Sequence, residues 1–298
     1  MMRNNDVGLI GLGAMGLNMG KNLLKNKFNL TVYDVRNEPI RVLEKLGAKA
    51  AKSPKHVGNT SAIVLLSLPS SKEVENVVLG ENGLINTLPK GGIIIDASTI
   101  DPAAVKKLAD VCNQKSITFI DAPVSGGTIG AEKGTLSIMV GGPNDKIDEC
   151  KHVLQAIGTN IYQVGNTGSG QIFKLINNML VAINLVGISE GFVLAKKTGI
   201  DLEKLYEVLK TSAGNSWALE QKLPKMIKND FEPGFKVWLQ HKDLTLAMSL
   251  ASQMNASLPI TSLAHQMYES AKAVGFEDLD HSAIAKIIQR LSIKDMND

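Results

Sequence analysis

Read for apolar and polar positions, the chain changes rhythm near residue 165. Before that point short β-rich runs alternate with longer helical stretches: Val7–Ile10, Leu30–Tyr33, Ala62–Ser67, Ile93–Asp96 and Thr118–Asp121, then Leu136–Val140 and Asn160–Gln163. Strands of this length separated by helices predict a parallel sheet covered on both faces. The turns Pro89–Gly92 and Gly141–Pro143 fall between elements. After Gly165–Gly168 the strand pattern ends. Apolar positions then recur at helical spacing in Leu202–Lys210, Trp217–Lys228, Lys242–Gln253, Ile260–Ala273 and Ser282–Leu291. The pattern predicts an α/β domain over residues 1–164 and an all-α domain over residues 165–298.

Between them Gly168–Lys196 reads as one long interdomain helix, apolar over most of its circumference and free of proline. Such a helix is normally buried. Yet Lys174, Asn177 and Asn178 stand at i, i+3 and i+4, so they share one face on successive turns. Burying a cation and two amides is costly without partners, and the partner is either another side chain or a bound substrate. Gly199 closes the helix and Asp201 caps the next one. Asn184 and Ser189-Glu190 interrupt the longest apolar stretch, which reads as too short and too polar to span a bilayer. No membrane partner is expected.

Composition narrows the class. With 298 residues the chain is long for a single core. Its 32 basic and 29 acidic residues are interspersed, with a net charge of +3, which gives nucleic-acid binding little support. Cys112 and Cys150 lie far apart, and no metal-ligand spacing appears among the cysteines and histidines. The opening residues carry no long apolar core with a cleavage site, so a reducing, cytoplasmic setting is expected.

Candidate chemistry begins at Gly11-Leu12-Gly13-Ala14-Met15-Gly16, directly after a strand and opening a helix. Gly11 permits a tight turn, Gly13 lets the backbone approach a pyrophosphate, and Gly16 allows close helix–strand packing. The helix N-terminus then faces the phosphates. Asp34 ends the second strand at the spacing of a ribose-binding acid. The first domain is therefore a Rossmann-type doubly wound sheet, with NAD as cofactor. NADP stays possible, because Arg36 is either a solvated loop residue or a cradle for a 2′-phosphate.

Ser67-Leu68-Pro69-Ser70 and Asp96-Ala97-Ser98-Thr99 follow strand ends, the edge where ligands bind in such sheets. Leu68, Pro69 and Thr99 are candidate cofactor contacts; alternatively Ser98 or Thr99 caps the helix begun by Pro102. Ser125-Gly126-Gly127 offers a hydroxyl and exposed N–H groups suited to a carboxylate, or is a plain turn. Lys174 is either a proton carrier or a structural ion-pair partner. Gln240-His241-Lys242-Asp243 begins a late helix, with Lys242 either reaching the cofactor or closing the cleft, Asp243 in the first turn and His241 structural. Trp217 reads as core more readily than as a pocket wall.

Four motifs in this order resemble the β-hydroxyacid dehydrogenases: Gly11–Gly16, Asp121–Gly127, Gly170–Asn178 and His241–Leu244. The resemblance implies hydride transfer between a nicotinamide and a short 3-hydroxy acid, with Lys174 catalytic. It further implies that Ser125, Gly126, Gly127 and Asn178 bind substrate, with Asn177 contacting or supporting it, and that Thr99 and Lys242 line the nicotinamide. It also implies a homodimer or homotetramer. Related 6-phosphogluconate dehydrogenases carry His-Asn where this chain has Asn177-Asn178, and a glutamate where it has Val181. Oxidation without decarboxylation is therefore expected. A sugar-acid dehydrogenase is disfavoured, and the intact Lys174 argues against a non-catalytic nucleotide-binding module.

Overall fold

The computed structural model describes residues 5–292, so the outermost residues of both predicted domains lie outside it. The chain forms two compact units, one ending at Lys174 and the other beginning at Leu175.

The first unit alternates β1 (Asp6–Ile10), α1 (Gly16–Lys25), β2 (Asn29–Tyr33), α2 (Asn37–Glu44), β3 (Lys49–Ala50), α3 (Pro54–Thr60), β4 (Ile63–Leu66) and α4 (Ser71–Leu79). It continues through β5 (Ile93–Asp96), α5 (Pro102–Gln114), β6 (Thr118–Asp121), β7 (Val124–Ser125), α6 (Gly127–Lys133), β8 (Leu136–Gly141), α7 (Asn144–Ile157) and β9 (Gly158–Gly165). Strand order is β3-β2-β1-β4-β5-β6-β8-β7, with β9 paired to β8. The pairings from β3 to β6 are all parallel. Strands buried on both faces read as near-continuous apolar runs, and Ile63–Leu66 and Ile93–Ile95 are of that kind. The two-residue strands β3 and β7 were too short to leave a pattern in the sequence.

Parallel register decides where the site can form. Ile10 pairs with Tyr33 and with Leu66, Leu66 with Asp96, and Asp96 with Asp121. Five strands thus end at one level. The loops after them emerge along one edge, and the chain reverses its direction of winding between β1 and β4, where open α/β sheets bind ligands.

α8 (Ser169–Thr198) is a single 30-residue helix that runs from the first unit into the second. Contrary to the sequence reading, it is long and apolar enough to cross a membrane, with a mean hydropathy of 1.6 over its most apolar window. Asn184, Ser189 and Glu190 are too few to offset the surrounding aliphatic residues. Length and composition do not separate a span from the core helix of a globular domain, and 44% of that window is buried within the protein.

The second unit continues α8 with α9 (Leu202–Leu209), α10 (Trp217–Ile227), α11 (Val237–Gln253), α12 (Pro259–Ala273) and α13 (Ile284–Leu291) around a separate apolar core. Asp201 caps α9 by accepting from the Lys204 N–H. Two expectations fail here. Trp217 is 55% exposed on the first turn of α10, where the Ser216 cap places it outside the core. α11 starts at Val237, so Asp243 is its seventh residue and lies beyond reach of the helix dipole's first turn.

Candidate active site

The glycine loop fits its proposed task through sterics. Gly11 has φ +89°, and a Cβ there would approach the Ser67 carbonyl oxygen to 2.2 Å. A Cβ on Gly16 would stand 1.9 Å from the Gly11 oxygen, so α1 can lie against the loop only with glycine at this place. Gly13 differs: nothing lies within 4 Å of its Cβ direction. Its bareness serves no packing need, and the space it leaves is where a pyrophosphate would pass. No side chain caps the α1 N-terminus, so the turn Leu12–Met15 keeps its positive end open to an anion. We expect Gly13→Val to keep the thermal midpoint while weakening NADH binding, measured by fluorescence titration. Gly16→Ala should lower the midpoint itself.

Asp34 stands at the C-terminal end of β2, beside that loop. Its Oδ2 accepts from the Leu12 N–H at 2.6 Å, and its Oδ1 accepts from the Arg36 N–H at 2.8 Å and Nε at 3.1 Å. Arg36 Nη2 reaches Asp34 Oδ2 at 3.3 Å and the Leu12 oxygen at 3.2 Å. Burial pushes the carboxyl up, but the Arg36 hydrogen bonds, the Leu12 N–H and the guanidinium charge outweigh it, and the pKa falls below the usual value. Arg36 is therefore not merely solvated. It occupies the lone pairs that ribose hydroxyls would use, and its side chain, 57% exposed, has room to leave.

Two further loops meet at the same edge. The Leu68 N–H donates to Ser98 Oγ at 2.9 Å, which ties the β4 loop to the β5 loop. Pro69 is exposed, while Leu68 and Thr99 are half-buried. The cap of α5 is Asp101, which accepts from the Ala103 N–H, so neither Ser98 nor Thr99 fills that role. Gln171, which the sequence reading left without a role, donates to the Ser98 oxygen at 2.9 Å and accepts from the Ile100 N–H at 3.1 Å. It holds the Ser98–Ile100 loop to the first turn of α8.

Asp121 holds that same turn from β6. It accepts from the Gly168 N–H at 2.7 Å and the Gln171 N–H at 3.0 Å. Burial raises its pKa to about 6, against the pull of these backbone donors. The backbone leaves no room for a side chain at Gly170, whose Cβ would stand 2.3 Å from the Met139 oxygen. One turn further Lys174 is buried at 9% exposure. Ser125 ends β7 opposite Ser137, half-buried, and Gly126 and Gly127 follow at φ +127° and +61° as α6 opens. Both glycines are exposed, and their positive φ values leave a turn without side chains beside the Ser125 hydroxyl.

In the second unit Asn178 is 5% exposed. Its Nδ2 donates to Asp243 Oδ2 at 2.5 Å and its Oδ1 accepts from Asn177 Nδ2 at 3.0 Å. Lys242 Nζ lies 2.8 Å from Asp243 Oδ1. His241 is drawn aside, stacked on the His265 ring at 4.4 Å and paired with Glu269. Burial, with the charges of Lys272 and His265, holds it below the usual histidine pKa, in keeping with a structural role. Among the described residues no cluster of His, Cys, Asp and Glu is suited to a metal ion.

The chain is similar to known proteins in both units. Residues 6–165 match the family described as the NAD-binding domain of 6-phosphogluconate dehydrogenase. Residues 168–288 match the NAD-binding domain of NADP-dependent 3-hydroxyisobutyrate dehydrogenase. The 2-(hydroxymethyl)glutarate dehydrogenase of Eubacterium barkeri is 39% identical over 98% of this chain and 97% of its own. The 2-hydroxy-3-oxopropionate reductase of Escherichia coli is 37% identical over 96% and 98%. A crystal structure of a Salmonella typhimurium 3-hydroxyisobutyrate dehydrogenase superposes with a TM-score of 0.88 at 29% identity, covering 94% of this chain and 99% of that one.

Proposed function

We propose that this chain, which belongs to the β-hydroxyacid dehydrogenase family, interconverts a short 3-hydroxy acid and the corresponding semialdehyde acid with NAD, without decarboxylation. One observation carries the reading. The strand ends that bring the bare Gly13 loop, Asp34, Leu68 and Thr99 to one edge also hold, through Asp121 and Gln171, the helix turn that precedes the buried Lys174.

The nicotinamide, when bound, supplies a hydride acceptor or donor at C4. Lys174 takes the hydroxyl proton during oxidation and, as an ammonium, returns it to the carbonyl oxygen during reduction. The Ser125 hydroxyl and the Gly126 and Gly127 N–H groups hold the substrate carboxylate. Asn178 orients the substrate through its remaining Nδ2 hydrogen, and Asn177 supports Asn178 through the side-chain hydrogen bond that its Nδ2 donates to Asn178 Oδ1. Gly11–Gly16 and Asp34 hold the dinucleotide, with Thr99 and Lys242 beside the nicotinamide. The position of Val181 offers no carboxyl group to protonate a decarboxylated product. The working form is a cytoplasmic homodimer or homotetramer.

A substrate panel tests this reading. Tartronate, methylmalonate and succinate semialdehydes are offered with NADH and NADPH, and 3-hydroxyisobutyrate and 2-(hydroxymethyl)glutarate with the oxidised forms. At least one substrate should change the absorbance at 340 nm. NADH or NAD should give the higher kcat/KM, since the Asp34 carboxylate repels a 2′-phosphate. Asp34→Ala should shrink that preference, because the freed Arg36 guanidinium can then meet the phosphate. Silence across the panel contradicts the proposal.

A further inference from the structure

The second unit holds a run of buried polar side chains that the reaction described above does not use. At one end Asp280, fully buried, takes Lys222 Nζ on both oxygens at 3.0 and 2.8 Å. It also accepts from the Gly234 N–H at 2.9 Å, the Ser282 N–H at 3.1 Å and Ser282 Oγ at 2.7 Å. These bonds fix α10, the loop before α11 and the segment before α13 onto one carboxylate. The next residue, His281, is 4% exposed, and its carbonyl accepts from Tyr268 Oη at 3.1 Å.

From His281 the run crosses to α11. His281 Nδ1 lies 3.2 Å from Gln240 Oε1, and Gln240 Nε2 donates to the main-chain oxygen of Asn178 at 3.0 Å. Gln240 is 1% exposed. The chemistry leaves one assignment. A main-chain carbonyl only accepts, so the Gln240 amide must turn its NH₂ to Asn178 and its oxygen to His281. An amide oxygen also only accepts, so His281 carries its proton on Nδ1. From His281 to the turn of α8 that bears Asn178, each group is thereby set by the next.

We propose that Gln240 is a positioning residue for this reaction: oriented by His281, it fixes the Asn178 turn of α8 and so aims the Asn178 amide at the substrate. The proposal rests on the reading of Asn178 as a substrate anchor. Its geometry also distinguishes Gln240 from general packing. A methionine fills the same space but makes neither bond, and a glutamate keeps the acceptor for His281 while setting a negative oxygen against the Asn178 carbonyl.

The test is a double-mutant cycle with Gln240→Met and Asn178→Ala, assayed with NAD and 3-hydroxyisobutyrate, or with 2-(hydroxymethyl)glutarate if the panel ranks it first. NADH affinity and the thermal midpoint of each variant are followed in parallel. Gln240→Met should lower kcat/KM by roughly 10- to 100-fold, the scale of a misplaced orienting group, with NADH affinity unchanged. In the Asn178→Ala background the same change should have almost no effect, because the group it positions is gone. If the two losses multiply, Gln240 does not act through Asn178 and the proposal fails while the anchor reading stands. If Asn178→Ala alone leaves kcat/KM intact, the anchor reading fails and takes the proposal with it. Should Gln240→Met not fold, Gln240→Glu carries the same cycle and the same outcomes.

Discussion

Lys174→Ala is expected to lower kcat by roughly 10²–10⁴-fold, the usual contribution of a positioned proton carrier, while NADH still binds with near-normal affinity. The separation of the two effects follows from where the residue sits. The dinucleotide groups, Gly11–Gly16 and Asp34, are organised by β1, β2 and the hydrogen bonds that the Leu12 and Arg36 N–H groups donate to Asp34. The first turn of α8 is held by Asp121 and Gln171, so losing the side chain leaves the helix start in place. Truncating a side chain that is only 9% exposed also removes packing. Lys174→Met, which keeps the aliphatic volume, should therefore show the same kinetic loss with less loss of stability. Near-normal turnover in both variants would remove Lys174 from the chemistry. Equal loss of turnover and NADH binding would mean that it acts on the dinucleotide instead.

The second large effect is on stability. Lys222→Met should destabilise the second unit by about 3–5 kcal/mol, because it strands a buried carboxylate rather than removing a pair. The side chains of Lys222 and Asp280 are 9% and 0% exposed. Adding Asp280→Asn should recover part of the loss, since the double variant buries no uncompensated charge. The pH dependence has a fixed sign. Burial pushes Asp280 up, yet His281, Lys222 and Ser282 outweigh it and hold the group at about 2, below its ordinary 3.8. Its folded pKa is thus depressed, so its contribution is complete above the ordinary carboxylate range and disappears as the pH falls through about 2. Denaturant titrations from neutral pH to pH 2 should show this acid limb in the native chain and a flatter one in Lys222→Met. A loss below about 1 kcal/mol would place the pair in solvent, where such pairs contribute little.

How much of this could be read in the chain depends on whether the cause is local. The glycine loop is legible because the spacing of Gly11, Gly13 and Gly16, directly after a strand and opening a helix, is itself the local signal, and Gly16 answers a steric demand from Gly11 five positions away. The strand-end loops are equally legible, because apolar runs ending in Asp34, Ser67 or Asp96 mark the edge where a parallel sheet binds ligands. The buried supports are not. Gln240 meets His281 across 41 positions, and Lys222 meets Asp280 across 58. Nothing near any of them in sequence announces the partner.

The errors have physical causes of the same kind. α11 begins five residues early because Val237 and Leu239 continue its apolar face past the polar Gln240-His241-Lys242 that seemed to open it. Trp217 reads as core by composition, but its position one residue after the Ser216 cap sets it outward. Asp101 took the α5 cap because it immediately precedes Pro102, closer than Ser98 or Thr99. Gln171 does carry a local signal, a polar residue one turn before Lys174 on an otherwise apolar helix, and the same reasoning that singled out Lys174 would have found it.

The proposed reaction is tested most directly by following the hydrogen itself. The protein is incubated with NAD and a 3-hydroxy acid deuterated at its carbinol carbon, chosen from the active members of the panel, and the reduced dinucleotide is analysed by NMR. Deuterium should appear at nicotinamide C4, one atom per turnover and on one face, with none lost to water. Recovery of the label in solvent, or turnover of the acid with no reduced dinucleotide formed, would contradict direct hydride transfer.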